Sequence, residues 1–149
     1  MLAFVISFFF TTFGNEFSPL RESNGIDEVV KYAFNQVGKG YSQAQCTGRA
    51  GECCRLGPNC FDCSGLVYKA YSQIGKKVPS TTSGYPSSGI KTVSLSSVKA
   101  GDILYRSGHV GLVGNNGQAV HAANSKKGVV SMSVSDFIKY NNITAAYRP

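Results

Sequence analysis

At 149 residues the chain has room for one domain with a core of its own. A composition of 42% hydrophobic and 15% charged residues excludes fibrous, coiled-coil and wholly disordered classes. Fifteen Lys and Arg against eight Asp and Glu give a net charge of +7, but the basic residues are dispersed, the longest runs being Lys76-Lys77 and Lys126-Lys127. Nucleic-acid binding calls for a basic stripe interleaved with aromatics, so that class is excluded, and the surplus reads as a solvated surface suited at most to approaching an anionic polymer.

The chain opens on an apolar run, Leu2 to Phe10, broken only by Ser7, with Thr12 and Gly14 as small residues before a cleavage point after Gly14. This predicts a signal peptide over 1–14, too short to span a membrane, and hence a secreted protein or one held in the lumen of the secretory pathway. A lead-in over 15–25 precedes a domain predicted over 26–149. Its first helix is predicted over Ile26 to Val37, where Ile26, Val29, Val30, Ala33, Phe34 and Val37 form one apolar face. Asn24 is the expected N-cap and Gly38 the stop. A loop to Phe61 follows, Cys-rich over 42–60, and then a second helix from Cys63 to Ile74 with Leu66, Val67, Ala70, Tyr71 and Ile74 inward. After a Ser/Thr/Gly/Pro-rich connection the pattern turns to strands: Asp102–Arg106, His109–Gly114, Gln118–Asn124, Val129–Val134 and Ile143–Tyr147, with a helical turn over Asp136–Tyr140. Helices first and an antiparallel sheet of five or six strands afterwards make an α+β fold.

Five cysteines in an exported chain divide into four that bridge and one left over. Cys46, Cys53, Cys54 and Cys60 are the disulfide candidates; their three pairings stay open, with the adjacent Cys53 and Cys54 disfavoured as partners of each other. Cys63 opens a helix, where free N–H groups and the positive dipole end lower a thiol's pKa and ready it as a nucleophile. Its position alone equally allows a bridge to Cys60.

His109 and His121 are the only histidines. If Asn115-Asn116-Gly117 forms a three-residue hairpin loop, Gly114 pairs with Gln118 and Gly111 opposes His121. His109 then lies diagonal to His121 on one face, about 7–8 Å away. A two-residue loop would put the histidines on opposite faces. On one face, one imidazole can take the thiol proton while the other orients it, and Gly111 leaves open space between them.

FDCSGLVYKAY followed by GDILYRSGHVGLVGNNGQAVHAA resembles the paired core motifs of NlpC-type cell-wall endopeptidases, a branch of the papain-like cysteine peptidases. The resemblance runs from about Ile26 to Pro149 and rests on Asp-Cys-Ser-Gly opening a helix, a Gly-Asp strand start, His-Val-Gly and a second histidine twelve residues on. It implies a papain-like fold with Cys63 as nucleophile, His109 as base and His121 as orienting residue. Tyr41 would line the site and help hold the oxyanion, and Asp62 and Ser64 would contact the free amine end of the substrate's peptide stem. The substrate implied is bacterial peptidoglycan or its muropeptides, cut between D-γ-glutamyl and a diamino acid by a monomer without cofactor. Two departures stand out. Ser42-Gln43-Ala44-Gln45 replaces the aromatic and glycines expected after the tyrosine, and Tyr41 precedes Cys63 by 22 residues, a long interval that holds the four extra cysteines.

Zinc is a weak rival, because only Cys60-x-x-Cys63 has ligand spacing. A thiol-disulfide role for that pair would put the attacking cysteine first and in a βαβ setting, neither of which the pattern offers. A binding module without catalysis conflicts with three competent residues at the catalytic positions. Amidase or acyltransferase chemistry shares the acyl-enzyme step.

Overall fold

The computed structural model describes residues 19–149, with side chains from Gly25 onward. The leader predicted at 1–14 therefore lies outside the described residues. Helix α1 spans Pro19–Phe34, starting seven residues before the predicted boundary. Proline suits a first helical position, where its missing N–H costs nothing. Asn24 is thus inside the helix and not its N-cap: Asn-Gly reads as a boundary because both are weak helix formers, and that local preference is overridden. Val29 and Ala33 are fully buried, whereas Val37 lies beyond the helix end and is exposed. Gly38, at φ +95°, turns the chain and donates its N–H to Val129 O at 2.9 Å.

The long interval before the nucleophile is closed by a pair of two-residue strands the sequence did not reveal. Strand β1 (Gly40–Tyr41) runs parallel to β2 (Cys60–Phe61), with Tyr41 opposite Phe61. Helix α2 (Cys63–Ser72) follows at once, and its Leu66, Val67, Ala70 and Tyr71 are fully buried, as predicted. The helix stops short of Ile74, and Gly75 takes φ +68° just after it. Tyr71 ties the helix to the sheet by donating its hydroxyl proton to the Gly101 carbonyl.

The sheet has six antiparallel strands: β3 (Lys91–Val93), β4 (Ile103–Arg106), β5 (His109–Val113), β6 (Gln118–Asn124), β7 (Gly128–Ser133) and β8 (Ala145–Arg148). Their spatial order is β3-β8-β4-β5-β6-β7. The five predicted strands are present with ends shifted by up to two residues, and β3 is the addition, a short edge strand in a polar stretch with no alternation to betray it. Val110, Leu112, Val120 and Ala122 form one face and pack on α2 and α1. Leu104, Val113, Ala119 and Ala146 form the other, covered by Phe137 of helix α3 (Val134–Tyr140). Among the described residues no helix is long and apolar enough to cross a membrane.

Candidate active site

The Asp-Cys-Ser-Gly run is built as a helix start. Asp62 is the N-cap of α2, extended at φ −93° and ψ 176°, and its Oδ1 accepts the Gly65 N–H at 2.6 Å. Gly65 is required by close approach: a methyl there would overlap the Arg55 carbonyl and crowd Asp62 Oδ1. The motif therefore fixes where Cys63 begins the helix.

Cys63 is the free thiol, 7% exposed. The four remaining cysteines pair as Cys46–Cys54 and Cys53–Cys60, one of the pairings the sequence left open. The Cys60–Cys63 bridge allowed by position is thereby ruled out in this structure, since Cys60 is bonded to Cys53. Cys46, Glu52 and Cys54 also lie together, but the two sulfurs are bonded to each other and Glu52 accepts from Thr47 and Gly48, so no metal donor set is left there.

The histidine hairpin has the predicted three-residue loop. Gly114 N donates to Gln118 O at 2.7 Å, and Leu112 and Val113 pair with Val120 and Ala119. Asn116 and Gly117 both adopt positive φ, at 59° and 69°. Continued, this register puts Gly111 opposite His121, but the β5–β6 ladder ends at Leu112. Beyond that point the Val110 N–H is directed at the Cys63 sulfur, as are the N–H groups of Cys63 and Ser64 at the helix start. The nucleophile candidate is thus close to Val110, the residue after His109.

His109 Nε2 and His121 Nδ1 lie 2.8 Å apart, with ring centroids at 5.0 Å and planes at 81°. If Nδ1 of His109 is to receive a proton, Nε2 must carry one and donate it to His121 Nδ1. His121 is then protonated at Nε2, which is buried without a protein partner. The space over Gly111, expected to be open, is filled by Phe137. Its ring centroid is 4.7 Å from that of His121 and 6.0 Å from that of His109.

Burial governs the electrostatics. It pushes the Cys63 thiol above its ordinary pKa, assisted by the charge of Asp62 and only partly opposed by the three N–H groups. The lowered thiol pKa expected from the helix start is therefore corrected: the N–H groups act in the expected direction, but desolvation outweighs them. Both histidines are lowered to about 4, His109 by burial and the charge of Arg106, His121 by burial, His109 and Lys127. At rest the thiol and both imidazoles are neutral.

Tyr41 is half-buried on β1, its hydroxyl pushed up in pKa first by burial and then by Cys63, with Asp62 adding to it. The β1–β2 pairing brings it beside the nucleophile despite the long interval. Ser64 is buried, its Oγ 3.4 Å from Asp62 Oδ1. Nothing in the residue pattern points to Arg55, which is buried in the stapled loop. Its Nε donates to Asp62 Oδ2 at 2.6 Å, and its Nη2 to Ser64 Oγ at 3.4 Å and to the Ser80 carbonyl. Tyr85, fully buried beside Tyr105 and Tyr147 and near enough to feel the Cys63 charge, was equally hidden in a polar connection.

The model of the NlpC/P60 family matches residues 48–148. A Corynebacterium glutamicum protein named probable endopeptidase Cgl2188 is 47% identical over 72 residues, 46% of this chain and 34% of that protein. Murein DD-endopeptidase MepS/Murein LD-carboxypeptidase of Escherichia coli is 34% identical over 132 residues, 83% of this chain and 68% of that protein. A Bacillus subtilis gamma-D-glutamyl-L-lysine dipeptidyl-peptidase is 30% identical over 96 residues, 59% of this chain and 32% of that protein. The chain thus spans about a third of the length of some curated relatives and two thirds of another. Among solved structures, the peptidoglycan hydrolase RipB of Mycobacterium tuberculosis superposes with a TM-score of 0.66 at 26% identity, over 88% of this chain and 67% of that one. The matched family is the one the motifs around Cys63, His109 and His121 resemble: the chain belongs to the NlpC/P60 family.

Proposed function

We propose that the protein is a cysteine peptidase that hydrolyses peptide bonds in bacterial peptidoglycan stems, at the bond between D-γ-glutamyl and a diamino acid. The observation that carries this is the 2.8 Å contact of His109 Nε2 with His121 Nδ1, together with a free thiol at a helix start close to Val110, the residue after His109. In the reaction His109 Nδ1 takes the Cys63 proton as the sulfur attacks the carbonyl carbon, because neither group is ionised beforehand. His121 holds the His109 ring by accepting its Nε2–H. The oxyanion is stabilised at the Cys63 N–H, with the Tyr41 hydroxyl at its edge. His109 then passes its proton to the leaving amine, the C–N bond breaks, and water releases the acyl group from sulfur.

The substrate class draws support from the relatives, whose names include peptidoglycan hydrolase and murein endopeptidase, and the bond from the B. subtilis relative's name. Export to an oxidising compartment is supported by the apolar run at Leu2–Phe10 and by two disulfides. The test is digestion of purified muropeptides of defined stems with mass analysis. Products split after D-glutamate are expected; cleavage at another bond would overturn the assigned bond, and intact substrates across several wall chemistries would overturn the peptidase.

A further inference from the structure

The corner beside the nucleophile is electrically closed by a residue that motif comparison does not single out. Asp62 precedes Cys63 and Ser64 follows it, and Asp62 is the carboxylate whose charge reaches the thiol. A substrate ammonium arriving there would need that charge. Both Asp62 oxygens are already engaged: Oδ1 by the Gly65 N–H at 2.6 Å, and Oδ2 by Arg55 Nε at 2.6 Å. Arg55 is 7% exposed, so this ion pair is shielded from water, and both carboxylate oxygens are taken up inside the protein. Nor is Arg55 free to swing away. Its N–H donates to Ala44 O at 2.9 Å, its carbonyl accepts the Asp62 N–H at 3.1 Å, and its neighbours Cys53 and Cys54 are both in disulfides. Nη2 is held by Ser64 and the Ser80 carbonyl.

We infer that Arg55 is a specificity-determining residue: by occupying the carboxylate of Asp62 it makes the amine-side subsite accept an acylated, uncharged stem and disfavour a free ammonium. A buried corner of this kind offers donors and acceptors to an amide, while a desolvated ammonium finds the carboxylate already paired. The protein would then cut within longer stems and not act as a dipeptidyl-peptidase. This rests on the peptidase proposed above and narrows its substrate.

The experiment compares two synthetic stem peptides that differ only in a free or an N-acetylated amine two residues before the scissile bond. With the wild-type chain, the acetylated peptide is expected to give a kcat/KM at least equal to that of the free amine. The free-amine peptide should gain on it as pH rises past about 8, where an α-amino group loses its charge. Arg55→Met should shift the ratio toward the free amine by about tenfold, the size of one charge-assisted contact, and Arg55→Lys should hold it near the wild-type value. A wild-type preference of tenfold or more for the free amine would overturn the inference without any variant. So would an unmoved ratio in an Arg55→Met protein that melts cooperatively. Cleavage of neither peptide would remove the peptidase proposal and this inference with it.

Discussion

Gly111→Ala is a small change aimed at the middle of the histidine pair. A methyl group at Gly111 would lie 2.5 Å from Phe137 Cζ and 3.0 Å from Cε2. Carbon atoms pack at about 3.5–4.0 Å, so the ring must retreat by about 1 Å. Phe137 is fully buried, with His121 and His109 against it and α3 carrying it, so the retreat displaces an imidazole or the helix. Overpacking of this kind costs about 1–3 kcal/mol, which is about 4–12 °C in Tm for a domain of this size. A misplacement of the base approaching 1 Å lowers kcat by about 100-fold. The assay is a thermal melt with kcat on a muropeptide, for Gly111→Ala alone and combined with Phe137→Leu, which makes room for the methyl. The double variant should recover much of both quantities. Wild-type kcat and Tm in Gly111→Ala, or a double variant no better than the single, would refute the claim that Phe137 positions the histidines.

Three further outcomes follow from the same structure. Because both histidines are held near 4 in the fold and titrate near 6.5 when unfolded, the unfolded chain binds more protons between those values. Stability should therefore fall as pH drops from about 6.5 to about 4, and the acid limb of kcat/KM should lie nearer 4 than 6.5; melts and pH-rate profiles check both. Asp102→Asn breaks the part-buried pair with Arg148, two contacts of 2.8 Å between β4's lead-in and β8, and should lower the midpoint of denaturant unfolding while folded molecules keep their kcat. Cys60→Ser should lose about 2–3 kcal/mol of stability with its disulfide yet retain turnover, whereas a redox pair Cys60-x-x-Cys63 would lose all activity in this variant.

Much of this arrangement is legible in residue order. The α2 face, the Asp-Cys-Ser-Gly start and the hairpin register depend on periodicity and on turn length, both local properties. The start of α1 was misplaced because Asn24-Gly25 imitates a cap, and only the continuing helix shows otherwise. Strand β3 lacks alternation because it is an edge. Phe137, Arg55 and Tyr85 are not readable at all: Phe137 and Tyr85 reach the site through tertiary packing, Arg55 is turned inward by the stapled loop eight residues before Cys63, and none matches a recognisable spacing. The disulfide pairing belongs to the same class. The pKa of Cys63 was misjudged for a related reason, since a helix start is visible in sequence and the depth of its burial is not.

The most direct test of the account is the rate at which folded Cys63→Ala releases muropeptide products beside the wild-type chain under the same conditions. A loss of at least about 1,000-fold, with an unchanged melting transition, is predicted for removal of a nucleophile. Cleavage at a rate within tenfold of wild type would contradict the assignment of Cys63 and the chemistry built on it.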